Sequence, residues 1–210
     1  MEHLNCRGAE TREKIVRLYD IKLIIYAKLL NGKTKHSDAH ETLTDRYYEF
    51  ECTLKSNKNV IKAITCGSGV GEHLLELANI KRPPIFNPFK SQNIDTHGGN
   101  TYNNGSNTNE KVWNPLAKEL YDAIRWLICC WDVVPHGDLL KIKEGLEEYY
   151  YNEPFLRKII HVNNIIHKDK KERTISKMID EVREVGNDVR EYRFNLINKM
   201  LEEKGVESYY

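Results

Sequence analysis

KNVIKAITCGSGVGEHLLELANI, residues 58–80, decides between two folds for this chain. It opens with a short apolar run, passes through Gly67, Gly69 and Gly71 at alternate positions, and ends in an amphipathic segment. Val, Ile and Thr at the density of 60–66 favour a buried strand. Val60, Ile61 and Ile64 also fit one helix face, and the run is too short for periodicity to choose. A strand at 60–66 implies an α/β, Rossmann-like fold. A helix there makes the glycines a corner between two helices. From Glu72 to Ile80 the reading is helix.

Outward from this stretch, helical patterns dominate. Ile15, Leu18, Ile21, Ile25 and Leu29 recur at three- and four-residue steps, which predicts a helix over 10–31 ending near Gly32. Ser37 or Asp38 caps a second helix, with Glu41 completing a capping box and a stripe of Leu43, Tyr47, Phe50 and Leu54. Asn109 to Trp131 is the most hydrophobic helical pattern and is placed at the centre of the molecule. Residues 137–151, a helix after Pro154 through His167, and two stretches across 172–204 broken at Gly186-Asn187 complete the set. Residues 81–109, rich in Pro, Gly and Asn, form the one clear break, with a long loop at 90–109. The expectation is therefore a mostly α protein: a single helical domain, 1–210, of six to eight helices, with the α/β fold as its rival.

Composition narrows the function classes. The chain has 210 residues, 40% hydrophobic and 30% charged, enough for a core without disulfides or metals. Its formal net charge of +1 gives no global field for nucleic acid or membranes. Five cysteines, two of them adjacent and none in a C-x-x-C pair, argue against a secreted disulfide framework and a zinc ribbon. No apolar run has the length of a membrane span. The N-terminus lacks the apolar core of a signal peptide. These features lead to the expectation of a cytoplasmic protein with reduced thiols.

The string AITCGSGVGEHLLELA resembles motif I of class I S-adenosylmethionine-dependent methyltransferases, a strand, a G-x-G-x-G turn and a helix. Trp131-Asp132-Val133-Val134 is similar to that family's aromatic-Asp-apolar motif, and the tail 201–210 to its last helix–strand step. The resemblance implies S-adenosylmethionine held by Gly67, Gly69 and Gly71, with Asp132 near the transferred group. It covers a small part of the chain. Thr65 stands where the family carries an acidic residue, and Ile85–Pro88 lacks the carboxylate that holds the cofactor ribose.

Other residues suggest other chemistries. Cys66-Gly67-Ser68 before a helix resembles the start of the catalytic helix of papain-like thiol hydrolases. That implies Cys66 as nucleophile, its pKa lowered by the helix N-terminus, with His97 or His136 as base. His36 and His40 lie four apart, as two metal ligands on one helix face would, without a third ligand at known spacing; no metal is expected. Arg157 and His161, with Asn164 and Lys168 beyond, share a helix face suited to phosphate chemistry, His161 as acid–base and Arg157 for the phosphate. Their spacing is one residue shorter than the Arg–His motif of the helical HEPN ribonucleases, so that activity is not carried over. Lys168, Lys170, Lys171 and Arg173 form a basic cluster for phosphate contacts, interrupted by Asp169 and Glu172. Trp113, Trp126 and Trp131, with Tyr149–Tyr151, either pave a pocket or, more commonly for such residues, fill the core.

No catalytic constellation has two independent supports. The leading expectation is an interaction or assembly protein without its own chemistry and without a cofactor. Its partners would be a protein or a second copy of the chain, with modest nucleic-acid binding and no membrane. The methyltransferase and the Cys66 hydrolase are the alternatives.

Overall fold

The computed structural model describes residues 1–30, 32–90, 112–131 and 137–210. The chain divides into two compact units, Met1–Thr101 and Tyr102–Tyr210. The protein is not mostly α. Among the described residues it is mixed α/β, with seven helices, a four-stranded sheet and a two-stranded sheet.

The first unit runs β1 (Glu2–His3), α1 (Ala9–Leu18), β2 (Tyr19–Lys28), β3 (Lys35–His36), β4 (Thr42–Leu43), β5 (Arg46–Leu54), β6 (Ile61–Cys66) and α2 (Ser68–Leu77). The larger sheet has the order β1-β6-β5-β2. Strands β2, β5 and β6 are antiparallel neighbours, and β1 joins β6 in parallel. Helices α1 and α2 contribute Ile15, Leu74 and Leu75 to a core shared with Tyr26, Tyr48, Phe50, Cys52, Ile64 and Cys66 of the strands.

Two predicted helices are strands here. The helix expected over 10–31 stops at Leu18, and Tyr19 is extended at φ −119°. From there Tyr19-Asp20-Ile21-Lys22-Leu23 alternates partly buried with exposed residues, the period of a strand, and then Ile24–Ala27 is buried on both faces. The predicted stripe of Ile21, Ile25 and Leu29 was compatible with either period over so few residues. Leu18, a member of the predicted apolar stripe, is 41% exposed. The second predicted helix, from Ser37 or Asp38, is instead a hairpin loop followed by β5. There Tyr48, Phe50 and Cys52 enter the core between Glu49 and Glu51, and cross-strand pairing with β2 fixes the register.

The stretch that decides the fold is a strand, Ile61–Cys66, followed directly by α2. It does not make the sheet Rossmann-like. Antiparallel β5 flanks β6 on one side, and its parallel pairing with β1 covers only Glu2↔Lys62 and His3↔Ala63. A Rossmann sheet needs parallel strands joined by crossover helices.

The second unit carries the helices α3 (Pro115–Trp131), α4 (Asp138–Glu148), α5 (Leu156–Ile166), α6 (Ile175–Glu184) and α7 (Asn195–Glu202); they fall within the predicted helical stretches, but α3 starts only at Pro115 and the stretch after Gly186-Asn187 becomes helical only at Asn195. Central α3 touches each of the other four and buries Leu116, Leu120, Ile124, Leu127 and Ile128. Asn114 starts it, its Oδ1 accepting from the N–H groups of Leu116 (3.0 Å) and Ala117 (3.2 Å). The Glu119 carboxylate accepts from the N–H groups of Leu196 (3.1 Å) and Ile197 (3.0 Å) and so caps α7. Asn163 fixes the C-terminal segment, donating to Glu207 O at 2.8 Å and accepting from Tyr209 N–H at 2.9 Å. Most of the predicted 81–109 break lies outside the described residues, as does the loop at 90–109. No helix among the described residues is long and apolar enough to cross a membrane.

Candidate functional site

At the β6–α2 junction, packing accounts for two of the three glycines. Gly67 precedes α2 in an extended conformation (φ −77°, ψ 175°). A Cβ there would stand 3.0 Å from Leu43 Cδ2 and 3.1 Å from Glu41 Oε1. The Glu41 carboxylate thus lies beside a helix N-terminus that no side chain caps, where the helix dipole favours negative charge. Gly71 lies against the Tyr48 ring, and a Cβ would meet Cδ2 at 2.4 Å. It lets α2 approach the sheet. Gly69 faces open space. The methyltransferase resemblance places a cofactor at this turn, beside which the Glu41 carboxylate lies.

Cys66, at the end of β6, is fully buried. A hydrogen bond with Cys6, together with burial, pushes its thiol well above the usual range. This favours the thiol over the thiolate that a nucleophile needs. Polar groups nearby pair with one another. Asp38 Oδ2 accepts from Thr65 N–H at 2.6 Å and meets His3 Nδ1 at 2.9 Å, and Arg12 Nε donates to His73 Nδ1 at 2.7 Å. His36 is in β3 and His40 in the following loop at φ 66°, its Nε2 3.2 Å from Asn5 Nδ2, so the two share no helix face. Asp132, His136 and His97 lie outside the described residues. No group of three or more His, Cys, Asp or Glu among the described residues is placed to hold a metal.

The basic cluster divides. Arg173 is turned inward: its Nε and Nη2 donate to Asp169 at 3.0 Å each, and its Nη1 donates to Glu181 at 2.8 Å. Asp169 also accepts from Trp131 Nε1 (2.7 Å) and from the N–H groups of Lys171 and Arg173 (3.1 Å each). The Arg173 guanidinium, with these donors, holds the Asp169 carboxyl well below the usual range despite its burial. The acid that interrupts the basic cluster in sequence is therefore committed to organising the α5–α6 turn. Lys168, Lys170 and Lys171 remain exposed.

They continue a face begun on α5. Arg157, His161 and Asn164 are all exposed, at i, i+4 and i+7. From Pro154 to Lys168 the chain contains no acidic residue. One carboxylate reaches this face from α4, Asp138 Oδ2 at 3.8 Å from His161 Nε2. At its N-terminal end lies an aromatic connector between α4 and α5, where Tyr149 is 49%, Tyr151 57% and Phe155 67% exposed. The Arg157 guanidinium stands 5.6 Å from the Phe155 ring centre. Sequence reasoning named Arg157, His161, Asn164 and the lysines, but it assigned Tyr149–Tyr151 to a core or pocket and did not single out Phe155. The local signal is Pro154, after which Phe155 stands in an extended conformation (φ −60°, ψ 136°) immediately before α5.

These features define a two-unit mixed α/β protein, with a buried thiol core under one sheet and a basic, aromatic-ended helix face in its helical half. The chain belongs to the family described as uncharacterised conserved protein UCP028583, whose model matches residues 4–210. No curated protein and no solved structure matches it.

Proposed function

We propose that this chain is a nucleic-acid-binding interaction protein, and that the α5 face with its aromatic connector takes a single strand. The carrying observation is the alignment of Arg157, His161, Asn164 and Lys168 on an exposed face with no acidic residue between Pro154 and Lys168, next to a connector that exposes Tyr149, Tyr151 and Phe155 along with Glu153; Asp138 is the carboxylate that reaches the face from α4. Cations at this spacing run along roughly 16 Å of helix and turn at 1.5 Å per residue. They suit a line of phosphates, with Lys170 and Lys171 extending it. Exposed rings suit unstacked bases, worth about 1–3 kcal/mol each in stacking. A merely solvated face generally carries both signs of charge. The exposed side of α6 does so, with Lys177, Asp180, Arg183 and Glu184.

The test is fluorescence anisotropy of labelled single strands, DNA and RNA, titrated with the whole chain and with duplex as comparison. Binding of single strands that Arg157→Glu abolishes and Phe155→Ala weakens by about 1–3 kcal/mol supports the reading. A folded chain that binds no strand, or that prefers duplex, overturns it and leaves a protein partner as the next candidate.

A further inference from the structure

In the first unit, two arginines converge on one tyrosine hydroxyl. Arg82 Nη2 donates to Tyr26 Oη at 2.9 Å, and Arg46 Nη1 approaches the same oxygen at 3.5 Å. Tyr26 is directly opposite Tyr48 in the β2–β5 pairing, and their rings stack at 4.1 Å with planes 7° apart. Tyr48 is fully buried; its hydroxyl interacts with that of Tyr26 but makes no hydrogen bond of good geometry among the described residues. The rim carries Lys28, 3.6 Å from Asp45, while Asp45 pairs with Arg46 at 2.7 Å and Glu72 with Arg82 at 3.1 Å. Three cations thus face two carboxylates.

Each guanidinium has one solvent-exposed carboxylate, Asp45 or Glu72, and on its inner side only a shared neutral phenol oxygen, while a buried hydroxyl without a well-formed hydrogen bond is costly to a fold. Both are resolved by one tetrahedral oxyanion. Its oxygens would take the guanidinium forks and the Tyr48 O–H, a donor without a well-formed hydrogen bond among the described residues. We propose that Arg46, Arg82 and the Tyr26–Tyr48 hydroxyl pair form a binding site for a phosphate group, free or as a monoester. The platform is rigid, because both tyrosines sit on paired strands and Gly71 of α2 closes against the Tyr48 ring. Burial raises the Tyr26 pKa, yet the two guanidiniums outweigh it and the net shift is downward, the sign of a positive potential at that oxygen. Burial and the neighbouring Tyr26 hydroxyl push Tyr48 upward, which keeps it an O–H donor. This site is separate from the α5 face, and its test uses no oligonucleotide.

The experiment is isothermal titration of the whole chain with inorganic phosphate and with O-phosphoserine, against chloride at equal ionic strength. Saturable binding is expected, reduced at least about tenfold by Arg82→Ala and several-fold by Tyr48→Phe, which keeps the ring and removes only the hydroxyl. Tighter binding of the monoester identifies a phosphorylated metabolite or side chain as the ligand, and tighter binding of inorganic phosphate identifies the free ion. No saturable heat with either probe in folded protein overturns the proposal. So does binding that Arg82→Ala and Tyr48→Phe leave unchanged.

Discussion

Gly71 and Tyr48 are in contact across the α2–sheet interface, with room for a hydrogen atom but not for a methyl group. Gly71→Ala would set a Cβ 2.4 Å from a ring carbon that is itself stacked on Tyr26. Overpacking of this kind typically costs about 1–3 kcal/mol. Gly69→Ala adds its methyl to open space and removes a helix glycine, so it should be neutral or stabilising by up to about 1 kcal/mol. Chemical denaturation of the two variants checks this. Equal effects would show that the glycine turn is not explained by packing.

Asp169 should behave as a structural acid. It collects donors from Trp131, Lys171 and Arg173, and its side chain is 4% exposed. Asp169→Asn leaves Arg173 with Glu181 as its remaining acid partner and should cost roughly 3–5 kcal/mol at neutral pH. The folded pKa is depressed, so the contribution is fully present above the unfolded pKa of about 4 and is lost as pH falls below it. The gap between wild type and variant should therefore narrow in acid. A gap that stays constant down to acid unfolding would contradict the assignment.

Buried thiols make a third prediction. Cys6, Cys52 and Cys66 are fully buried, and burial pushes the Cys52 thiol up to about 12. Cys130 is partly exposed. Brief alkylation of native protein near pH 8, mapped by mass spectrometry, should mark Cys130 first and leave Cys66 until denaturant is added. Rapid labelling of Cys66 in the folded state would return the thiol-hydrolase alternative to favour.

The helical half was legible because its stripes are long. From Leu116 to Ile128, four turns of apolar repeats admit no strand reading. The sheet half was obscured by segments of about ten residues in which two periods coexist. In Tyr47, Phe50 and Leu54 a helix stripe can be traced, while Tyr48-Glu49-Phe50-Glu51-Cys52 alternates like a strand. The alternation prevails because β2 and β6 stand on either side of β5 to pair with it. That partnership joins residues from 8 apart (Thr53 with Ile61) to 35 apart (Tyr19 with Leu54) and leaves no mark within β5 itself. The α5 face was partly legible, since helix spacing alone aligned Arg157 with His161. The inward turn of Arg173 was not, because it depends on Glu181 and Trp131 meeting Asp169 in space.

The most direct test of the α5 account is the salt dependence of single-strand binding. Four exposed cations, Arg157, Lys168, Lys170 and Lys171, predict a slope of log affinity against log salt of about −2 to −3. Lys168→Glu should make it shallower, while Lys177→Glu on α6 should leave it unchanged. A slope near zero, or one that Lys168→Glu does not alter, would contradict the claim that phosphates lie along this face.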